Sequence, residues 1–256
     1  MLTSLKAMVA TAKEDIATNG GAPVPLDVRT VAVMLVTCVL LTLFYYWGRP
    51  GFFQSQFDAP LSALLNLENS EYRGLLRYGY WAIASLVIRV AIPLAMIVWW
   101  FRESPRDYGF RLWEPGHGLI YALMYVVMLP VLIGASFFTS FQNKYPFYEL
   151  AGDSVVQFVL FQSAYGIQFL SLEAFFRGFL IFALFKRFGY YSVVIMTIPY
   201  CMIHFAKPMP ETLGAIVAGL LLGYLAIKSK SFLPGALLHF GVGFTMDLAC
   251  IAQRAL

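Results

Sequence analysis

Charge is scarce in this chain: 12% of its 256 residues are Asp, Glu, Lys or Arg, against 60% hydrophobic. Ordinary soluble domains carry charge on about a quarter of their residues, so the solvent of this protein is a bilayer. Cysteines are few as well. Cys38, Cys201 and Cys250 lie in apolar stretches with no CxxC or Cys/His spacing, which excludes a disulfide framework and a cysteine zinc site. The chain holds no HExxH, which rules out the zincin arrangement. No internal repeat is visible, so the inverted-repeat signature of many transporters is missing. The apolar stretches are continuous and not alternating, which argues against a β-barrel. Met1 to Ala17 has no uninterrupted apolar core, being broken by Lys6, Lys13, Glu14 and Asp15. It reads as a surface amphipathic helix and not as a cleavable signal peptide.

What remains is a series of apolar runs, each of about the 20 residues that a helix needs to cross a bilayer. Spans are expected from Val31 to Trp47, Trp81 to Phe101, Gly118 to Phe138, Val155 to Phe185, Tyr190 to His204, Glu211 to Ile227, and from Phe232 to the C-terminus. The fourth run is too long for one crossing and is expected to tilt, to break near Gly166 or to begin as an interfacial helix. The expected fold is an all-α polytopic membrane bundle of seven or eight transmembrane helices. Gly219 and Gly223 form a small-xxx-small pair suited to close helix packing. The expected organisation is an N-terminal amphipathic and flexible segment over 1–28, N-terminal membrane helices over 29–152, and a core over 153–256. The net charge of +4 is gathered at helix ends, which implies membrane anchoring and no nucleic-acid partner. The distribution of Lys and Arg favours a cytoplasmic N-terminus, and short loops without eukaryotic targeting signals suggest a bacterial inner membrane.

Ionisable side chains at bilayer depth cost about 2.5–3.5 kcal/mol each on insertion scales, so each is a candidate for function. Glu173 and Arg177 are four apart and share a helix face within salt-bridge reach. The turn at Phe188-Gly189 is equally distant from Glu173 and His204, so a helix hairpin brings these two to one depth. His239 sits some eight residues into the last span, roughly 12 Å along its axis, and reaches that level only through tilt or offset. A carboxylate with two imidazoles permits water activation: a base removes a proton while the imidazoles, or a metal, hold the water or stabilise an oxyanion. The bland alternative is a structural ion pair with interhelical hydrogen-bonding histidines.

Glu173-Ala174-Phe175-Phe176-Arg177-Gly178, Tyr200 with His204 four residues on, and His239 after Pro234-Gly235 resemble, in order and spacing, the three motifs of the CAAX-protease and bacteriocin-processing family of intramembrane endopeptidases. The resemblance covers about Asp153 to Asp247. It implies hydrolysis of a membrane-associated or C-terminally anchored peptide, with Glu173, Arg177, His204 and His239 as the catalytic set and the bilayer as surroundings. The family has been described both as metalloproteases and as glutamic proteases, so no cofactor is required, and a zinc held by Glu173, His204 and His239 stays an alternative. Two positions depart from the family pattern. Leu172 stands where the first of two adjacent glutamates is usual, and Gly243 where Asn or Asp follows the histidine by four residues. Asp247 is the nearest substitute, provided that Gly241 and Gly243 loosen the helix. The stretch from His204 to Glu211 is similar to a bacterial subgroup resembling protein-sorting proteases. Lys207 and Glu211 read either as supporting residues there or as a membrane-edge anchor and a first-turn acid. Arg89 is expected to line a cavity, to pair with Asp247 or Glu173, or to snorkel. The competing function is a non-catalytic relative that binds a peptide or partner; a transporter is disfavoured.

Overall fold

The computed structural model describes residues 26–255; the amphipathic helix expected over Met1–Ala17 lies outside them. Among the described residues, seven helices build the bundle. α1 is Val28–Trp47, α2 Arg73–Trp100, α3 Gly118–Ser136, α4 Val155–Phe188, α5 Tyr191–Met202, α6 Met209–Ser229 and α7 Leu233–Arg254. Six are long and apolar enough to cross a membrane. α5, with 12 residues, is roughly 18 Å long and does not, so the fifth expected span is shorter than its apolar stretch suggested. No strand is formed among the described residues.

The starts of these helices are written locally. Asp27 accepts a hydrogen bond from the Arg29 N–H at 3.1 Å and caps α1, and Ser154 accepts from the Gln157 N–H at 3.2 Å and caps α4. Such caps satisfy N–H groups that a helix leaves without partners. α2 carries Pro93 within it and widens into π-helical turns at Val87–Ala91 and Met96–Trp100. A proline removes one intrahelical donor, and local π geometry accommodates the change without ending the helix.

α4 is the axis of the molecule. In its most apolar window 83% of residues are buried inside the protein, against 11% for α3, whose Leu119, Val126, Val127 and Val131 face outward. Of the alternatives for the fourth run, a break at Gly166 does not occur: α4 is continuous over 34 residues. Gly166 instead lies against the ring of Phe240, 3.5 Å from where a Cβ would stand, so its missing side chain admits α7. The irregularity falls further on, where Ala174–Leu180 is π-helical. The Gly219/Gly223 pair packs as expected. A Cβ on Gly219 would stand 2.8 Å from Thr197 Cγ2, and one on Gly223 2.7 Å from Val193 Cγ1, so α6 lies directly on α5.

At the face where α1 begins and α4 ends, Glu103 joins three elements. Arg29 donates to both its carboxylate oxygens, at 2.8 and 2.6 Å, Tyr108 donates at 2.5 Å, and Lys186 also pairs with it. The Arg29 guanidinium above all, with help from Lys186 and the Tyr108 hydroxyl, holds the Glu103 carboxyl well below the usual carboxylate range against the opposing effect of burial. A depressed folded-state pKa gives stability that is fully present above the unfolded value of 4.5 and is lost as the pH falls below it. Thermal unfolding in detergent is therefore expected at lower temperature at pH 3 than at pH 6. In Glu103→Gln that difference shrinks, because the variant has already lost the contribution at pH 6.

Candidate active site

α4, α5 and α7 converge on Glu173. Its side chain is fully buried. Oε1 accepts from Arg177 Nη1 at 2.9 Å and lies 2.8 Å from His239 Nδ1. Oε2 has no partner and lies over Gly235, 3.4 Å from where a Cβ would be. The offset that His239 required comes from the start of α7. Phe232 packs against Gly178 deep within the bundle, so α7 begins there and the imidazole meets Glu173 about seven residues, or roughly 10 Å, along. Arg177 is also buried, and its guanidinium stacks on the ring of Tyr200 at 3.7 Å. The Glu173–Arg177 pair forms across the first turn of the π-helical stretch.

The two histidines are oriented alike. His204 Nδ1 lies 2.8 Å from the Tyr200 carbonyl oxygen. A carbonyl only accepts, so Nδ1 carries the proton and Nε2 the lone pair. His239 Nδ1 faces a carboxylate, which fixes the same tautomer. Both imidazoles line two cavities, one of about 860 Å³ and the other of about 750 Å³, that share Tyr165, Phe169 and Lys207 as common wall. Neither Glu173 nor Arg177 lines either cavity. The carboxylate therefore reaches the cavities through His239.

The departures from the family pattern have visible consequences. Leu172 lines the larger cavity, so an apolar side chain faces the space beside the histidines while Glu173 turns away from it. A Cβ on Gly243 would stand 2.8 Å from the ring of Phe169, and that ring packs on His239 with centroids 4.4 Å apart. An aromatic wall occupies the place of the usual polar residue. Asp247 does not substitute for it: α7 is unbroken through Gly241 and Gly243, which keeps Asp247 two turns from His239. It is buried against α4, where Gln162 Nε2 donates to Oδ2 at 2.7 Å, and it lines neither cavity. Arg89 pairs with neither Asp247 nor Glu173. It lines the larger cavity with its guanidinium 3.5 Å from the Phe44 ring centroid. Lys207 lines both cavities and pairs with Glu211 at 2.5 Å, and Tyr145 donates to both Glu211 oxygens at 2.8 Å.

Sequence reasoning passed over Phe169, whose clue was a glycine at position 243, and the ring of Tyr200 as a platform for Arg177. Among the described residues no three His, Cys, Asp or Glu side chains are grouped so as to hold a metal ion. His204 and His239 line both cavities, whereas Glu173, the third residue of the expected set, lines neither; its Oε1 is engaged by His239 and Arg177 and its Oε2 has no partner.

Together these features define a helical membrane protein with a buried carboxylate–histidine pair at the wall of two intramembrane cavities. Residues 153–245 match the model of a protein family described as Rce1-like, type II CAAX prenyl endopeptidase Rce1-like. The match spans a little over a third of the chain and contains Glu173, Arg177, His204 and His239. No curated protein and no solved structure matches the chain.

Proposed function

We propose that the protein is an intramembrane endopeptidase in which His239 activates water and Glu173 positions His239. The observation that carries this reading is the 2.8 Å contact from His239 Nδ1 to the buried Glu173, with the imidazole itself at the cavity wall. A water in the cavity donates one hydrogen to Nε2 of His239 and the other to Nε2 of His204. As its oxygen attacks the scissile carbonyl carbon, His239 takes the proton; the tetrahedral intermediate then collapses, the C–N bond breaks, and His239 returns the proton to the leaving amine. Glu173 stabilises the imidazolium and keeps its tautomer. Lys207 supplies a cation for the charge that develops on the carbonyl oxygen. The route needs no metal, and the substrate is a peptide associated with the membrane, as an enzyme of a bacterial inner membrane with a cytoplasmic N-terminus would meet it.

Hydrolysis leaves an isotopic mark. The purified protein in nanodiscs, incubated with membrane-anchored peptides in ¹⁸O-labelled water, is expected to release products carrying one ¹⁸O in the new carboxylate. Leu172 in place of a cavity-facing carboxylate favours a second reading, a non-catalytic relative that binds peptides. Bound but uncleaved peptide, with no label incorporated, would establish that reading instead.

A further inference from the structure

Among the described residues two carboxyl side chains are fully buried, those of Glu173 and Asp247. Glu173 has Arg177 and His239 against it. Asp247 has no ion-pair partner among the described residues, and its surroundings supply none. Tyr165 on α4, Tyr145 on the segment after α3 and Cys250 on α7 lie within electrostatic reach, but these residue types carry no charge at neutral pH. Lys207, before α6, is paired with Glu211, and Arg254 donates to the carbonyls of Gln142 and Tyr145. A bare carboxylate in such a place is far costlier than a neutral acid. Asp247 is met by one hydrogen bond, from Gln162 Nε2 to Oδ2 at 2.7 Å. The two oxygens left over, Asp247 Oδ1 and Gln162 Oε1, are both buried without a partner. In the ionised acid both are acceptors, so neither can satisfy the other.

We infer that Asp247 is a protonated acid at neutral pH whose Oδ1–H donates to Gln162 Oε1, and that this reciprocal acid–amide pair locks α7 in the position catalysis needs. One proton meets both stranded oxygens and removes the charge. The pair lies roughly 16 Å along α4 from Glu173 and roughly 12 Å along α7 from His239. Between these two points the helices meet through rings and glycines, Phe240 on Gly166 and Phe169 on Gly243. Apolar contact is non-directional, so the two polar contacts at its ends fix the rotation and register of α7. The 2.8 Å approach of His239 Nδ1 to Glu173 therefore depends on the distant pair. Asp247 lines neither cavity and is a positioning residue. This inference rests on the proposed hydrolytic site for its effect on rate but not for the proton itself.

Infrared difference spectroscopy of wild type against Asp247→Asn, in phosphatidylcholine nanodiscs at pH 7, reads the proton directly. The carbonyl stretch of a protonated carboxylic acid, moved to lower frequency in heavy water, is expected in the wild type and absent from the variant. Gln162→Leu should move that band to higher frequency, because it removes both hydrogen-bond partners of the acid. Carboxylate bands lost on substitution, or an acid band that Gln162→Leu leaves in place, would overturn the pair. Asparagine forms two hydrogen bonds with Gln162 without a proton, so Asp247→Asn should unfold near the wild-type temperature and Asp247→Leu well below it. At matched amounts of monodisperse protein, Asp247→Leu should lower kcat for peptide hydrolysis about 10-fold at unchanged KM, and Asp247→Asn should restore most of it. Wild-type kcat in Asp247→Leu would refute the positioning role and leave hydrolysis standing. If the wild type itself hydrolyses nothing, the hydrolytic reading falls, and the lock stands or falls on the acid band and the order of unfolding temperatures.

Discussion

Replacing Glu173 by Gln is expected to lower kcat for peptide hydrolysis by about 10²–10⁴-fold while KM moves little. The split follows from position. Glu173 lines neither cavity, so a bound peptide does not touch it and its loss does not weaken binding. It acts on His239, whose Nδ1 it holds at 2.8 Å. A glutamine keeps the shape but not the charge that stabilises the imidazolium, and its amide group can present a donor where an acceptor is required. A buried carboxylate that orients a histidine loses rate by this means when it becomes an amide. Progress curves over a range of peptide concentrations read both constants. If KM rises with kcat unchanged, Glu173 contacts the substrate and is not a positioning residue.

Arg177→Met is expected to lose about 3–5 kcal/mol of stability, enough to deplete the folded protein. The guanidinium is the only described cation paired with a fully buried carboxylate, and it also stacks on Tyr200. Removing it strands Glu173 in a medium that solvates charge poorly. The double variant Glu173→Gln with Arg177→Met removes both charges and is expected to recover much of the loss, since replacing a buried pair by neutral groups is often close to neutral. Monodispersity on size-exclusion chromatography and thermal scans in detergent measure both. A single variant as stable as wild type would show that Glu173 does not need its partner.

The span order, the all-helical class and the grouping of Glu173, Arg177, His204 and His239 were legible in the sequence, for reasons that differ by residue. A 20-residue apolar run has one stable form in lipid, so the helices followed from composition. Glu173 and Arg177 met because four residues make one turn, and the turn at Phe188-Gly189 folded α5 back so that His204 arrived beside Tyr200 and the cavity. The direction of Glu173 was not legible. Packing turned Leu172 to the cavity and Glu173 toward α7. The π-helical turn at Ala174–Leu180 leaves no mark in hydropathy. Asp247 was drawn toward the site by spacing, but Gln162, 85 positions away, claimed it, and a contact of that range has no local signal. Arg89 could be recognised as a charge in a membrane helix, but that no described carboxylate lines the cavity with it is a property of the assembled bundle.

On the proposed mechanism the imidazole of His239, and not a carboxylate, activates water at the cavity wall. Its most direct test is single-turnover hydrolysis by wild type and His239→Ala in the same nanodiscs, at matched amounts of monodisperse protein. Hydrolysis by wild type and a fall to the protein-free background in the variant, with the peptide still bound, are expected. Hydrolysis by His239→Ala at the wild-type rate would contradict it.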